Sequence, residues 1–194
     1  MNARGHIISG ALLALASTGT FAAELNAGTI HFTGQIIEPS CEIQGDDGTN
    51  STVPLGTYPT SLFSTPGTES TLAPFSIVLV DCPLKSDGLP AVQLTFNGTT
   101  ALTGSSTLLD VSKITTAGDT AATGVGIAVS PENKDTQLIT MDGGEGQVFI
   151  ELPTLTGDSV QANFNARYKS FSQTVTAGPA DAEIWPQVLK FCII

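Results

Sequence analysis

The chain has 194 residues and a mass of 20.0 kDa, which fits one domain of ordinary size. Hydrophobic residues make up 41% and charged residues 13%, and 20 Gly and 11 Pro accompany runs of Ser and Thr, a mixture typical of turn-rich β proteins. Seven basic against 18 acidic residues give a formal net charge of −11, which excludes the basic surface of a nucleic-acid-binding protein and disfavours an anionic membrane as partner.

The first segment of the chain has the layout of a secretory signal peptide. Arg4 precedes an apolar run over residues 7–16, and small residues follow that run. Thr20 and Ala22 place small side chains at the third and first positions before a cut, so we predict a signal peptide over residues 1–22. A retained membrane anchor is the alternative, but the apolar run is shorter than the ~20 residues that span a bilayer.

Period-two alternation of apolar residues predicts the strands of the mature chain. The first alternating segment starts near Thr29 and places Ile30, Phe32, Gly34 and Ile36 on one side. Further segments follow the same rule: Phe75, Ile77, Leu79; Val92, Leu94, Phe96; Val125, Ile127, Val129; Val148, Ile150, Leu152; and Phe164, Ala166, Tyr168. Because no later window shows a capped apolar face at helical spacing, we expect an all-β, antiparallel sandwich of immunoglobulin type.

The chain contains three cysteines, Cys41, Cys82 and Cys192. In an exported protein the expected fate of cysteine is a disulfide, and a bridge between Cys41 and Cys82 would remove about 4 kcal/mol of unfolded-state entropy. Metal binding is disfavoured because the sequence has no Cys-x-x-Cys pair and no clustered histidines. Cys192 is left either as a buried free thiol or as a site of pairing between chains.

The residues that catalysis requires do not converge in the sequence. His31 is the only histidine after residue 22, it lies in the first alternating segment, and the chain has no Ser-centred nucleophile elbow. We therefore expect no enzyme, no catalytic residue, no cofactor and no metal site.

Several stretches of the mature chain have the order and spacing of one protein family. The first of them, Gly28 to Cys41, reads Gly-Thr-Ile-His-Phe-Thr-Gly-Gln-Ile-Ile-Glu-Pro-Ser-Cys. The others are Phe75–Cys82, Gly124–Val129, Phe164–Tyr168 and Val175–Gly178. Together they resemble the major pilin subunits of type 1 fimbriae, which assemble by the chaperone-usher pathway, over about residues 23 to 183.

The resemblance implies an incomplete immunoglobulin-like sandwich that lacks its last strand and is completed by a donor strand from another chain. It implies residues 23–37 as the donor-strand extension and residues 38–194 as the pilin domain. The inserted face would be Ile30, Phe32, Gly34 and Ile36, with Gly34 where a side chain would clash with the groove floor. An ordinary first strand within the same chain is the alternative reading of this alternation.

The resemblance also implies partners and a location. A periplasmic chaperone would cover the open groove, an outer-membrane usher would receive the subunit, and other pilin subunits, as a homopolymer, would form the fimbria at the cell surface. The implied function is a structural subunit that supports cell adhesion, without nucleic-acid partners or membrane insertion. The alternative is a minor or adaptor pilin near the fibre tip with a binding function.

The C-terminal tail departs from the family pattern. Family members end in an alternating strand with a penultimate Tyr, whereas this chain has Pro186 where an apolar strand residue is expected and continues to Cys192 and two isoleucines. Proline cannot donate to a sheet ladder. The sequence leaves three explanations open: an edge position, a bulge, or a tail altered by a frameshift.

Overall fold

The computed structural model describes residues 31–34, 41–44 and 52–189. The predicted signal peptide, Ile30, Ile36 and Cys192 lie outside the described residues, so these predictions stay predictions. The chain divides into two units, Met1–Ile36 and Ile37–Ile194, and the strands described below all belong to the second.

The described residues of the second unit form strands and one short 3-10 helix, Thr60–Phe63. The strands, in chain order, are β1 (Glu42–Gln44), β2 (Ala73–Val80), β3 (Ala91–Gly98), β4 (Leu109–Asp110), β5 (Val125–Pro131), β6 (Val148–Glu151), β7 (Val160–Ser170) and β8 (Ile184–Leu189). All of the alternating segments predicted after residue 70 are present as strands. Leu152 falls just beyond the end of β6 but remains buried.

The strands form two antiparallel sheets. One sheet has five strands in the order β1-β2-β7-β5-β4, and the other has three in the order β6-β3-β8. The two sheets enclose one hydrophobic core to which both contribute, as in an immunoglobulin-like sandwich, so the predicted fold class is confirmed.

The core lies between the inward faces of the two sheets. From β3, the side chains of Val92, Leu94 and Phe96 are fully buried, as their alternation predicts. The Phe96 ring meets Phe164 of β7 edge to face at 5.5 Å between centroids, and Phe75 stacks on the same ring at 5.3 Å. Each such aromatic pair adds about 0.5 to 1.5 kcal/mol to the burial of the rings themselves.

The outer face of the five-stranded sheet is covered around Arg167, whose side chain is only 2% exposed. Its guanidinium donates to Glu69 Oε2 at 2.7 Å, to Ser130 Oγ at 2.9 Å and to the Asp135 carbonyl. Lys169 Nζ lies 2.8 Å from the other oxygen of Glu69. Burial by itself raises the pKa of Glu69, but the hydrogen bonds and charges of Lys169 and Arg167 outweigh it and hold that pKa below its ordinary value.

This cover changes the burial pattern of β5 from the one that alternation predicts. Val125, Ile127 and Val129 face the core as expected, but the residues between them are buried too. Ser130 is buried because Arg167 lies over it. A strand that the sequence presents as half-buried is therefore enclosed on both faces.

Candidate functional site at the open edge of β8

The last strand, β8, lies at the edge of the three-stranded sheet. Its described neighbour is β3, with which it pairs antiparallel from Gln93 opposite Leu189 to Gly98 opposite Ile184. The side chains of Ile184 and Val188 are half-buried and pack on the core, whereas Trp185 and Gln187 point to solvent. Alternation in the tail therefore builds a strand despite the proline at its centre.

The hydrogen bonds of β3 show which way the peptide groups of β8 point. Gly143 N–H donates to the Phe96 carbonyl at 2.9 Å, and Gly98 N–H donates to the Met141 carbonyl at 2.9 Å, so these β3 groups point away from β8. In an antiparallel ladder both members of such a pair turn their peptide groups outward. Opposite Gly98 and Phe96 stand Ile184 and Pro186, whose backbone groups therefore face the open edge of β8.

Of the two structural explanations for Pro186, an edge position or a bulge, the structure supports the edge position. Pro186 stands in a regular one-to-one register with Phe96, with the next residues of β8 paired on both sides, so it is not a bulge. The missing N–H falls on the open side, and no hydrogen bond to β3 is lost. Proline is tolerated in sheets at such outward-facing edge positions.

Half-buried apolar side chains come from both the first and the last described segments of the second unit. They pack against the core but keep part of their surface exposed: Ile43, Leu55, Tyr58, Ile184 and Val188. A closed sandwich would cover such side chains with a further strand. The partial exposure of Ile184 and Val188 at the edge of β8 is what a strand-accepting groove requires.

A cavity of about 690 Å³ opens among the loops that precede β8. Its lining includes Tyr58, Phe63, Tyr168 and the loop that holds Gly178. Tyr168 donates from its hydroxyl to the Ala180 carbonyl at 3.1 Å. Burial, followed by the charges of Asp181 and Tyr58, raises the pKa of Tyr168, so this hydroxyl remains protonated and keeps the loop in place.

Asp181 fixes the chain just before β8. Its backbone exchanges two hydrogen bonds with Ser112, at 2.8 and 2.9 Å. Its carboxylate accepts the N–H groups of Ile114, Thr115 and Thr116 at 3.0, 2.7 and 2.8 Å, and the Thr116 hydroxyl as well. Desolvation raises the pKa of Asp181, but these hydrogen bonds, with the Thr116 hydroxyl first, hold it far below its ordinary value.

The disulfide expected from the sequence is present. Cys41 and Cys82 are bonded, with their Cα atoms 4.3 Å apart. The bridge ties the start of β1 to the end of β2, where Glu42 pairs with Val80. Because β1 contributes only a three-residue ladder, this bond anchors it at the edge of the five-stranded sheet.

The predicted donor residues are only partly described. Phe32 and Gly34 lie in the first unit, outside the strands, and Phe32 is 94% exposed. A Cβ built on Gly34 would meet nothing within 4 Å, so the predicted clash with a groove floor is not tested by a single chain. Within the stretch from His31 to Gly34, the alternative of a strand paired inside the chain is not observed.

The resemblance implied an open groove, but the sequence did not identify which backbone groups of β8 form its edge or the hydrogen bonds of Asp181 that fix the segment before β8. The alternation from Ile184 to Val188 was a usable signal for the strand, although Pro186 obscured it. In the described part of the chain, no group of three or more His, Cys, Asp or Glu residues could hold a metal ion. None of the helices described there is both long and apolar enough to cross a bilayer.

Comparisons with known proteins give the family. The family model for fimbrial proteins matches residues 30–188. The chain is 38% identical over 174 residues to the type-1 fimbrial protein subunit of Serratia marcescens, covering 89% of this chain and 91% of that protein. It is 36% identical over 172 residues to the probable major fimbrial subunit LpfA of Escherichia coli, covering 89% and 88%.

The structure of the chain is also similar to a solved structure of a pilus subunit. The crystal structure of the P pilus rod subunit PapA superimposes with a TM-score of 0.60 at 23% identity, covering 78% of this chain and 99% of PapA. Among the described residues β8 is paired on one side only, and this edge, the anchoring disulfide and the similarities agree. The chain belongs to the fimbrial protein family.

Proposed function

We propose that the chain polymerises by donor-strand exchange. Residues 23–37 of one copy add to the open edge of β8 in the next copy, and repeated addition builds the shaft of a fimbria that supports cell adhesion. In this proposal residues 1–22 are the signal peptide and residues 38–194 the accepting domain. The subunit has a structural role and no catalytic one.

The observation that carries the proposal is the combination of a strand edge with which no described residue pairs and half-buried apolar side chains beside it. Ile184 and Val188 turn their backbone groups to the open side, and their side chains are only partly covered. An exposed strand edge of this kind pairs readily with another strand. A donor with apolar residues at alternate positions would satisfy the backbone and cover the side chains together.

The predicted donor face has enough apolar surface to make the joint durable. Burial of Ile30, Phe32 and Ile36 at ~1.5 to 3 kcal/mol each contributes roughly 5 to 9 kcal/mol before backbone pairing is counted. Phe32 is 94% exposed in the single chain, so its surface is available for burial in another copy.

The open edge also supports the predicted assembly partners. An unpaired edge with apolar flanks invites aggregation, so it must be covered until assembly. We therefore include a periplasmic chaperone that lends a strand to β8, and an outer-membrane usher that receives the subunit. The finished location is the fimbria at the cell surface, reached through the periplasm.

A shaft role is favoured over an adaptor role near the tip. A relative that shares 36% identity over most of both chains is described as a probable major fimbrial subunit. A shaft subunit must also accept its own donor, and this chain has both a predicted donor and an open edge.

The test compares two arginine substitutions in the predicted donor. In Gly34→Arg the arginine lies on the inserted face, so we expect surface fimbriae to be lost while the subunit remains soluble with its chaperone. In the control Thr33→Arg the arginine lies on the opposite side, so assembly should persist. Fimbriae are sheared from the cells, and the amount of subunit in the sheared fraction is quantified by immunoblot. Normal assembly of the Gly34→Arg variant would show that the proposed register is wrong.

A further inference from the structure

The open edge of β8 has an incomplete row of hydrogen-bond donors. Ile184, Pro186 and Val188 alternate with the residues that pair to β3, and their backbone groups face outward. Each of the three offers a carbonyl acceptor, but only Ile184 and Val188 offer an N–H. The gap at Pro186 therefore lies at the centre of the edge, between two donors about 14 Å apart.

We propose that Pro186 is a specificity-determining residue for strand addition, because it withholds the central N–H from every strand that approaches the edge. This inference rests on the proposed function, since it assumes that a strand adds to β8. It assigns to the proline a role that neither the family match nor the fold by itself supplies.

An incoming antiparallel strand meets Pro186 with one of its own carbonyls. That carbonyl faces the Cδ of the pyrrolidine ring, where another residue would have an N–H. It is left without a hydrogen-bond donor in a site that the added strand shields from water. An unmet peptide group of this kind weakens association by about tenfold to a hundredfold.

The loss of affinity is the same for every strand that adds to β8. Strands whose affinity is already low therefore no longer form a lasting joint. A strand that offers only its backbone loses a large share of its total affinity, and its joint becomes too short-lived to persist. A strand whose apolar side chains fill the space beside Ile184 and Val188 keeps enough affinity to form a durable joint. The selection acts as a threshold on affinity, with side-chain burial deciding which strands exceed it.

A second β8 strand is among the partners that the proline excludes. Two copies of β8 paired antiparallel about residue 186 would bring two pyrrolidine rings face to face and lose both central hydrogen bonds. Prolines at strand edges protect against such edge-to-edge pairing. The occupant that remains favoured is the donor segment, residues 23–37, of another copy.

The test measures uptake of two labelled peptides by the chaperone-bound mature subunit. Gly34→Arg is present throughout, so that subunits do not polymerise during the assay. One peptide is residues 23–37, and the other replaces Ile30, Phe32 and Ile36 with Thr, so its backbone pairing is kept and its apolar burial is lost. The half-life of each peptide–subunit joint is followed on unboiled gels.

The decisive variant is Pro186→Val, which restores the N–H on the open edge. We expect it to lengthen the half-life of both joints by about tenfold to a hundredfold, so that the Thr-substituted peptide becomes stably bound. Pro186→Ala restores the same N–H with a smaller side chain and should act alike. The matched control is Gln187→Thr, which raises strand propensity while its N–H faces β3, so it should change neither half-life.

The outcomes separate the two proposals. If the subunit takes up the unmodified peptide but Pro186→Val and Pro186→Ala leave both half-lives unchanged, the role of the proline is refuted while strand donation stands. If no variant takes up the unmodified peptide, strand donation by residues 23–37 itself fails.

Discussion

The substitution Arg167→Met tests whether the buried ion cluster holds the outer face of the five-stranded sheet. The arginine is 2% exposed and has three partners, whereas methionine has a similar length and no charge. Removal leaves the fully buried Ser130 hydroxyl and the Asp135 carbonyl without this donor. Glu69 keeps its bond to Lys169 at 2.8 Å.

These contacts set the expected magnitude. Breaking a buried ion pair costs about 3 to 5 kcal/mol, and the remaining Lys169 contact with a partly exposed Glu69 places the loss near the lower limit. We expect Arg167→Met to lower the unfolding free energy by about 3 kcal/mol, which corresponds to a decrease of roughly 6 to 12 °C in the melting temperature. The control Lys169→Met breaks a more exposed pair and should lose less than about 1 kcal/mol.

The assay is guanidinium unfolding of the mature subunit with its groove filled by the peptide of residues 23–37. Trp185, the only tryptophan in the chain, reports the state of β8 by its fluorescence. Because both variants lie in β7 and leave the open edge unchanged, they are compared in the same bound state. Equal losses for Arg167→Met and Lys169→Met would refute the claim that the buried arginine organises this face.

Three further predictions concern the frame of the accepting domain. Replacing both Cys41 and Cys82 with Ser should lower the unfolding free energy by about 4 kcal/mol, and an unchanged denaturation midpoint would contradict this. Gly124→Ala should destabilise the fold, because φ is +79° there and the new Cβ would lie 2.2 Å from the Thr174 carbonyl oxygen; Gly146→Ala, also at positive φ but with open space, is the control for strain alone. The lowered pKa of Asp181 means that its contribution to stability is present above about pH 4 and is lost as the pH falls through its folded pKa. The unfolding free energies of Asp181→Asn and of the natural chain should therefore converge as the pH is lowered. A difference between them that stays constant down to pH 2 would contradict this role of the Asp181 carboxylate.

The sandwich was predictable because alternation records the two faces of a half-buried strand. Val92, Leu94 and Phe96 occupy the core as their spacing indicates, and the partners of the disulfide follow from the expected fate of cysteine in an exported chain. These features depend on local pattern and on general chemistry, so a single sequence contains them.

The remaining features depend on partners that are distant in the chain. Arg167 occurs in an alternating strand, where a basic residue suggests a solvent-facing side, and only the packing of Glu69 and Asp135 from other segments encloses it. The direction of the Pro186 peptide group depends on which side of β3 bonds to the segment around Gly143. Neither relation leaves a signal in the local sequence.

The central claim is that each subunit donates its N-terminal segment to the open edge of another copy. The most direct measurement is an SDS gel of the protein coexpressed with a matching chaperone and usher, with an unboiled sample beside a boiled one. We predict a ladder of multimers in the unboiled lane that collapses to monomer on boiling. Monomer alone in both lanes, with the chaperone shown to be bound, would contradict self-donation.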